Sequence, residues 1–403
     1  MLPLEGQLTL TQALELMRIR DPNIAVAQSA VDQALADKIS AAERPNATLA
    51  YSTAKINPAG HNGPGSLWDK QYDTIVDLSQ PFERGGKRKH RLAQAGANVD
   101  AAHADFADTL RNERLAVAQA YWELKRAEEK YTNEQTLAAI EHRSLQASEQ
   151  RLKLGDMPRL DVERMRIEAA ETDNAADAAQ GTLQDAQVAL AALLDTTAQS
   201  DSLSAGDAWP RAEKVAGIDV ECALARRPDM LAAKQRVQAA EAALDLAHAQ
   251  RTRDVTISGQ YEHNPDPFGH TLLGVGVSIP LFTGNGYEGE IRRAYTDIDA
   301  ANAALARIRV AALADVQRAS ADLHAAAQRA LRFDGDLIER GHATEQAVET
   351  AYAHGGLTLA DLLDARRALK TLQDDATDAH ADYAEAAAAL AAAAAQDELV
   401  AVP

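Results

Sequence analysis

Two rhythms of apolar and polar positions divide the chain. Residues 47–56, 72–80, 255–263 and 271–279 alternate with a period of two, which predicts four strands. Val255, Ile257 and Tyr261 alternate with Thr256, Ser258, Gln260 and Glu262, while Leu273, Val275, Val277 and Ile279 alternate with Gly274, Gly276 and Ser278. Each such strand has one apolar and one polar face. Elsewhere the spacing is helical. Val99, Ala102, Phe106, Leu110, Val117, Tyr121 and Leu124 recur at intervals of three, four or seven, as do Ile298, Ala301, Leu305, Ile308, Ala312, Val316, Ala319 and Leu323. Residues 87–154 and 287–354 contain no proline and keep this coiled-coil period, so each predicts one continuous helix. At 1.5 Å per residue such a helix reaches roughly 100 Å, far more than a globular domain requires.

The pattern is written twice. Arg20-Asp21-Pro22-Asn23 is echoed by Arg226-Arg227-Pro228-Asp229, and Ala47-Thr48-Leu49-Ala50-Tyr51 by Val255-Thr256-Ile257-Ser258. Ser79-Gln80-Pro81-Phe82 with Gly85 returns as Ser278-Ile279-Pro280-Leu281 with Gly284, and Gly155 with Asp161 returns as Gly355 with Asp361. The lag stays near 200 residues, as in an internal duplication. The first repeat is expected over 1–195, with a helix, strands 47–56 and 72–80, long helix 87–154 and helix 158–195. A connector rich in Ser, Thr, Asp and Gly follows at 196–218. The second repeat, 219–396, has a helix, strands 255–263 and 271–279, long helix 287–354 and helix 358–396, and 397–403 is a tail.

Each repeat passes from strand to helix through a proline and glycines. Pro81 and Pro280 lack a backbone donor and are expected to end sheet pairing, whereas Gly85, Gly86, Gly284 and Gly286 permit the unusual dihedrals of the turn. Just beyond lies the basic run Lys87-Arg88-Lys89 with Arg91, either a solvated helix start or a group facing anionic lipid.

Composition narrows the function. Apolar residues make up 46% of the 403, but aromatics only 4%, so alanine dominates the apolar share and points to closely packed helices. A net charge of −19 argues against a nucleic-acid partner and for a soluble or cation-attracting surface. Cys222 is the single cysteine, which excludes an internal disulfide and a thiolate cluster. The opening Met1-Leu-Pro-Leu-Glu-Gly-Gln7 does not read as a signal peptide, leaving a cytoplasmic protein or a processed chain. No run of 18 apolar residues marks a membrane-spanning helix.

A β-barrel span stays open. Strands of nine or ten residues suit a tilted transmembrane barrel, though periodicity equally allows a soluble sandwich. Four strands cannot close a barrel, and open edges are not tolerated in lipid. A membrane reading therefore requires several chains to share one barrel; three copies supply twelve strands.

The duplicated layout, the two strand-Pro-Gly junctions and the two glycine turns resemble the TolC-like outer-membrane efflux family, from Leu8 to about Ala395. The most specific pieces are Gly155 to Val162 and Gly355 to Ala365, and Gln80-Pro-Phe-Glu-Arg-Gly-Gly-Lys-Arg88 looks like the heavy-metal resistance branch. The resemblance implies a mainly α fold with a small β part: a long coiled-coil α-barrel and a shared twelve-stranded barrel in the lipid of a Gram-negative outer membrane. It implies a homotrimeric passive duct, joined to a periplasmic adaptor and an inner-membrane RND-type pump. Asp361 and Asp364 match positions that ring the periplasmic entrance in the family. Their i, i+3 spacing puts both on one helix face, where threefold repetition would attract cations and raise the carboxylate pKa values. A solvated helix start is the plainer reading of the same residues. Asp161 matches an aspartate that locks the entrance by pairing with an arginine, but Leu357 occupies that arginine's position, leaving Arg159 or Arg366 as substitutes. Leu154, Gly155 and Asp156, and Gly355 and Gly356, match the places where the adaptor docks; both turns also read as glycine helix caps. The lipidated amino-terminal cysteine of some members is missing.

Nothing in the residues indicates an enzyme or a cofactor. There is no phosphate-binding glycine loop, no H-E-x-x-H and no nucleophile constellation around Cys222. His61, His263 and His270 fall in the expected outer loops but show no converging metal-ligand pattern. Tyr121-Trp122 reads as helix packing. Two alternatives stand beside metal export: a duct for drugs or type I secretion, and a soluble coiled-coil scaffold.

Overall fold

A computed structural model describes residues 7–56, 72–213, 217–264 and 270–396. His61 with the loop 57–70, the interior of the loop 264–270 and the tail 397–403 lie outside the described residues. The chain forms two compact units, one of residues 1–28, 105–230 and 309–403, the other of 29–104 and 231–308.

Each strand pair is preceded by two helices, α1 (Leu10–Arg20) and α2 (Pro22–Ala42), then α5 (Val220–Arg226) and α6 (Pro228–Gln250), rather than by the single helix expected. The residue before a proline is disfavoured in the helical region. Asp21 and Arg227 accordingly adopt ψ of 120° and 127°, and the prolines open the next helix, where a missing N–H costs nothing. Between and after the strands run α3 (Lys87–Leu154), α4 (Arg159–Leu193), α7 (Glu288–Phe333), α8 (Leu337–Ala353) and α9 (Leu359–Ala393). The expected single helix over 287–354 is thus broken in two. Asp334-Gly335-Asp336 forms the break: glycine is a poor helix former, His380 of α9 reaches Asp334 at 3.0 Å, and Arg340 binds Asp336 at 2.7 Å.

The duplication is visible in the backbone. α4 and α9 are both 35 residues long. Each ends in a left-handed residue, Asp195 and Ala395, both at φ 50°. The turns before them are alike too. Asp156 N–H donates to Arg151 C=O (2.9 Å) and Gly155 N–H to Leu152 C=O (3.0 Å); Gly356 N–H donates to Ala351 C=O (2.8 Å) and Gly355 N–H to Tyr352 C=O (3.0 Å). These paired bonds are Schellman caps, and they require φ of 83° at Gly155 and 77° at Gly355.

The first unit has its main core around Met17, Val117, Tyr121, Trp122, Leu124, Leu190 and Leu194. Tyr121 and Trp122 are packing residues: their rings meet edge to face at 5.1 Å, and Trp122 stacks on Trp209 of the connector at 5.6 Å. The buried Tyr121 hydroxyl lies 2.9 Å from Leu8 C=O and 2.7 Å from an Asp207 carboxylate oxygen, and accepts from Asp207 N–H at 3.0 Å. It fastens the connector to the helices.

In the second unit β1 (Thr48–Ala54), β2 (Asp73–Phe82), β3 (Val255–His263) and β4 (Thr271–Ser278) form one antiparallel sheet in chain order. No second sheet covers it among the described residues, so the sandwich alternative lacks its partner layer. Directly paired residues share a face. The register therefore gathers Tyr51, Val76, Tyr261 and Leu273 across one face, with Leu49, Leu78 and Val275 beside them. The opposite face carries Ser79 and Ser258, Asp77, Gln260 and Gly274, and Gly276 and Ser278. The apolar face is open, with Val275 86% exposed.

Two junction expectations are corrected. Pro81 does not end pairing: β2 continues to Phe82, with Pro81 opposite Thr256. β1 has already stopped at the Thr48–Ser79 pair, so Pro81 lies where β2 is paired on one side only, a place a sheet tolerates proline. Gly85 and Gly86 do adopt φ of 73° and 74°, but Gly284 and Gly286 are not left-handed. Tyr287 takes that role at φ 59°, its N–H bonded to Asn285 Oδ1 at 2.9 Å and its ring packed edge to face on Phe282.

Candidate functional site

The residues singled out at the two glycine turns belong to the first unit. A small core of Met165, Leu359 and Leu363, with Leu145 and Tyr352 against it, supports both turns. Leu154, by contrast, is 76% exposed beside Gly155, and Leu160 is exposed just beyond.

The three aspartates differ in what holds them. Asp361 completes a capping box: Thr358 N–H donates to its carboxylate at 2.8 Å, the Thr358 hydroxyl donates at 2.6 Å, and Asp361 N–H donates to Thr358 Oγ1 at 3.3 Å. The Thr358 hydroxyl and then its backbone N–H hold the Asp361 carboxyl below its ordinary value, so within one chain the shift opposes the rise expected from threefold repulsion. Asp364, one turn on, is on the same exposed face with 78% of its side chain in solvent and Arg367 4.0 Å away. Asp161 occupies the equivalent position at the start of α4, but Pro158 replaces the capping threonine and Asp161 faces Arg164 at 3.7 Å.

Neither substitute arginine reaches Asp161. Arg159 is exposed and forms no ion pair with it among the described residues. Arg366 is 5% exposed and committed elsewhere: its guanidinium binds Glu141 of α3 at 2.8 Å, Ser144 at 3.1 Å, and Glu349 and Glu345 of α8 at 3.2 and 3.5 Å. Burial pushes the Glu141 carboxyl up, and Arg366 pulls it back. Next to it Arg367 pairs with Glu168 of α4. These ties place charge at the centre of a helix packing, so Arg366 serves neither as the Asp161 partner nor on the surface.

A family model described as "Outer membrane efflux protein" matches residues 13–196 and 220–396, nearly all of both repeats. The chain belongs to the outer membrane efflux protein family. Among relatives of this family, the cobalt-zinc-cadmium resistance protein CzcC of Cupriavidus metallidurans is 23% identical over 368 residues, covering 90% of this chain and 84% of that protein. The pyoverdine export outer membrane protein OpmQ of Pseudomonas putida is 28% identical over 240 residues, covering 56% of this chain and 49% of that protein. The crystal structure of the outer membrane protein VceC from Vibrio cholerae superposes with a TM-score of 0.76 at 21% identity, covering 96% of this chain and 95% of that one. This outer membrane efflux protein is accordingly a channel of the Gram-negative outer membrane with a large periplasmic portion, not an enzyme.

Within this efflux protein the sequence reading missed a second charged seam. Asp374, Asp378, Asp382 and Glu385 form one stripe of α9 at intervals of four, four and three. Lys130 meets Asp378 at 2.7 Å, Arg329 of α7 meets Asp382 at 2.7 Å, and Arg126 lies 3.2 Å from Asp382 and 2.9 Å from Glu385. Burial pushes the Glu385 carboxyl up to about 7, against the pull of Arg126. The helical spacing of the acids was a usable signal; their partners on distant helices were not. No group of three metal-ligating side chains converges among the described residues, and His263 and His270 stand at the loop end of the sheet.

Proposed function

We propose that three copies of this chain join their sheets into one twelve-stranded transmembrane barrel and act as a passive exit duct for heavy-metal cations. The observation that carries the reading is the sheet. It has one apolar and one polar face and two edges, β1 and β4, without a partner strand among the described residues. In lipid such edges must be paired, and a lumen-facing polar surface is what a water-filled barrel needs. The likeness to CzcC supports metal cargo. Asp361 and Asp364, with Asp161 on the first repeat, then form the cation-attracting entrance. The turns at Leu154, Gly155 and Asp156 and at Gly355 and Gly356 receive the periplasmic adaptor, which links the duct to an RND-type pump in the inner membrane. The exposed Leu154 favours a docking role beyond helix capping.

The mass and symmetry of detergent-extracted protein test assembly: a threefold particle is expected, and a water-soluble monomer refutes it. Asp361→Asn with Asp364→Asn tests the entrance, because asparagine keeps an acceptor for the Thr358 cap while removing charge. Block of planar-bilayer conductance by multivalent cations should weaken; unchanged block removes the assignment. The OpmQ likeness favours an organic cargo as second reading. Deleting the gene decides, with loss of metal tolerance but not drug tolerance expected.

A further inference from the structure

We infer that the helix-side rim of the sheet is a binding collar for the phosphate groups of anionic phospholipid. The inference rests on the reading that the sheet enters the membrane. One end of all four strands meets at this rim, since Thr48 pairs with Ser79, Phe82 with Val255 and Thr256 with Ser278. Although the chain as a whole carries a charge of −19, basic residues dominate here. Arg44, Arg84, Lys89, Arg251 and Arg292 are all exposed, and no ion pair holds them among the described residues. The acids nearest the β2–α3 turn are already used. Asp254 takes Lys87 at 2.8 Å and the Arg84 backbone N–H at 2.9 Å, while Glu83 takes Arg91 at 3.0 Å. Exposed Glu43, Glu288 and Glu290 remain, with Asp245 of α6 3.5 Å from His90, and together these acids are too few to balance the rim.

The start of α3 sharpens this demand for an anion. A helix N-terminus favours negative charge, yet the first turn of α3 has no acidic residue and opens with Lys87, Arg88 and Lys89. Arg88 donates Nε–H to the Ala42 carbonyl, a neutral acceptor that leaves its charge uncompensated. An outside anion is the missing partner. Its source is indicated by what borders the rim. Phe82 and Leu281 are exposed beside it, Phe282 and Tyr287 pack edge to face at 5.3 Å, and Arg253 lies 5.6 Å over the Phe282 ring. Aromatic rings next to an exposed apolar band mark the level of lipid head groups. A phosphate there meets cations above the helix start while its acyl chains follow the apolar face.

The test compares wild type with Arg84→Gln/Lys89→Gln/Arg251→Gln/Arg292→Gln. Both are reconstituted into phosphatidylcholine vesicles containing a minor fraction of phosphatidylglycerol, re-extracted, and their retained lipid is quantified by mass spectrometry. Each basic residue near an anionic surface adds roughly a factor of five to association, so wild type should enrich phosphatidylglycerol about fivefold or more over the bulk. The variant, which keeps only Arg44 and Arg88 of the free cations, should lose most of that enrichment. Equal retention by both proteins, or no enrichment by wild type, overturns the collar. Loss of enrichment on adding millimolar inorganic phosphate at constant ionic strength assigns the rim to free phosphate and overturns it too. Conductance of both proteins in pure phosphatidylcholine is measured alongside. A conducting protein without enrichment sinks the collar alone, whereas failure of wild type to insert sinks the barrel reading.

Discussion

Removing the Arg366 charge should release α8. This helix has no buried residue of its own, so its attachment depends on polar ties and on partial packing against α9. Arg366 supplies the central tie, joining Glu345 and Glu349 of α8 to Glu141, which is only 1% exposed. Replacing Arg366 with Met keeps much of the volume but leaves the Glu141 carboxylate buried without a counter-charge. Breaking a buried pair in this way costs about 3–5 kcal/mol. A cavity of about 140 Å³ bordered by Arg366, Glu345 and Lys370 has room for water beside the replaced side chain, which favours the lower end. At about 3 kcal/mol, local opening of α8 becomes roughly 100-fold more frequent, and its amide hydrogen exchange should accelerate by that factor while α4 stays protected. Glu141→Gln added to Arg366→Met should recover part of the loss, because a neutral amide is far cheaper to bury than a carboxylate. If exchange in α8 stays within about twofold of wild type, its apolar contacts hold it and the charge-based account fails.

Four other perturbations follow from the same geometry. Gly355→Ala forces alanine to φ 77° in open space and should cost about 1–2 kcal/mol in chemical denaturation, the backbone term alone. Gly85→Ala adds a clash, its Cβ falling 2.6 Å from Thr252 Cβ, and should cost about 1–3 kcal/mol more in the same assay. Glu385 sets a pH dependence. Its folded value of about 7 lies above the ordinary 4.5, so its contribution to stability is complete below 4.5 and lost as pH rises through 7. Partial exposure limits the effect to about 1–2 kcal/mol, and Glu385→Gln should flatten melting temperature against pH across this window. Tyr121→Phe strips Asp207 N–H of its acceptor and should cost about 1–3 kcal/mol by thermal melting, with the connector the first segment exposed to protease.

The fold class was legible because it is written in local period. Alternation such as Leu273-Gly274-Val275-Gly276-Val277 is sufficient to specify a two-faced strand, and a proline-free helical repeat is sufficient to specify a long helix. The α7–α8 break was not legible, since the glycine between two aspartates resembles any exposed stretch until His380 and Arg340 are brought to it. Tyr287 defeated the glycine rule for a related reason: Asn285 and Phe282 hold its left-handed backbone, and no residue preference reveals such support. At the candidate entrance, exposure of Asp364 follows from helix phase, whereas the burial of Arg366 depends on carboxylates from two other helices. Helical spacing reports which face a residue shares. It carries no information about the partner opposite.

The shared φ of 50° at Asp195 and Ala395 shows what an ancient copying event preserves. The two side chains have diverged to an acid and a methyl, yet the main chain leaves each helix along the same path. Inheritance here acts on trajectory before chemistry. Exchanged terminal segments of α4 and α9 should therefore graft as interchangeable parts, and glycine at position 395 would relieve the strain of a left-handed alanine.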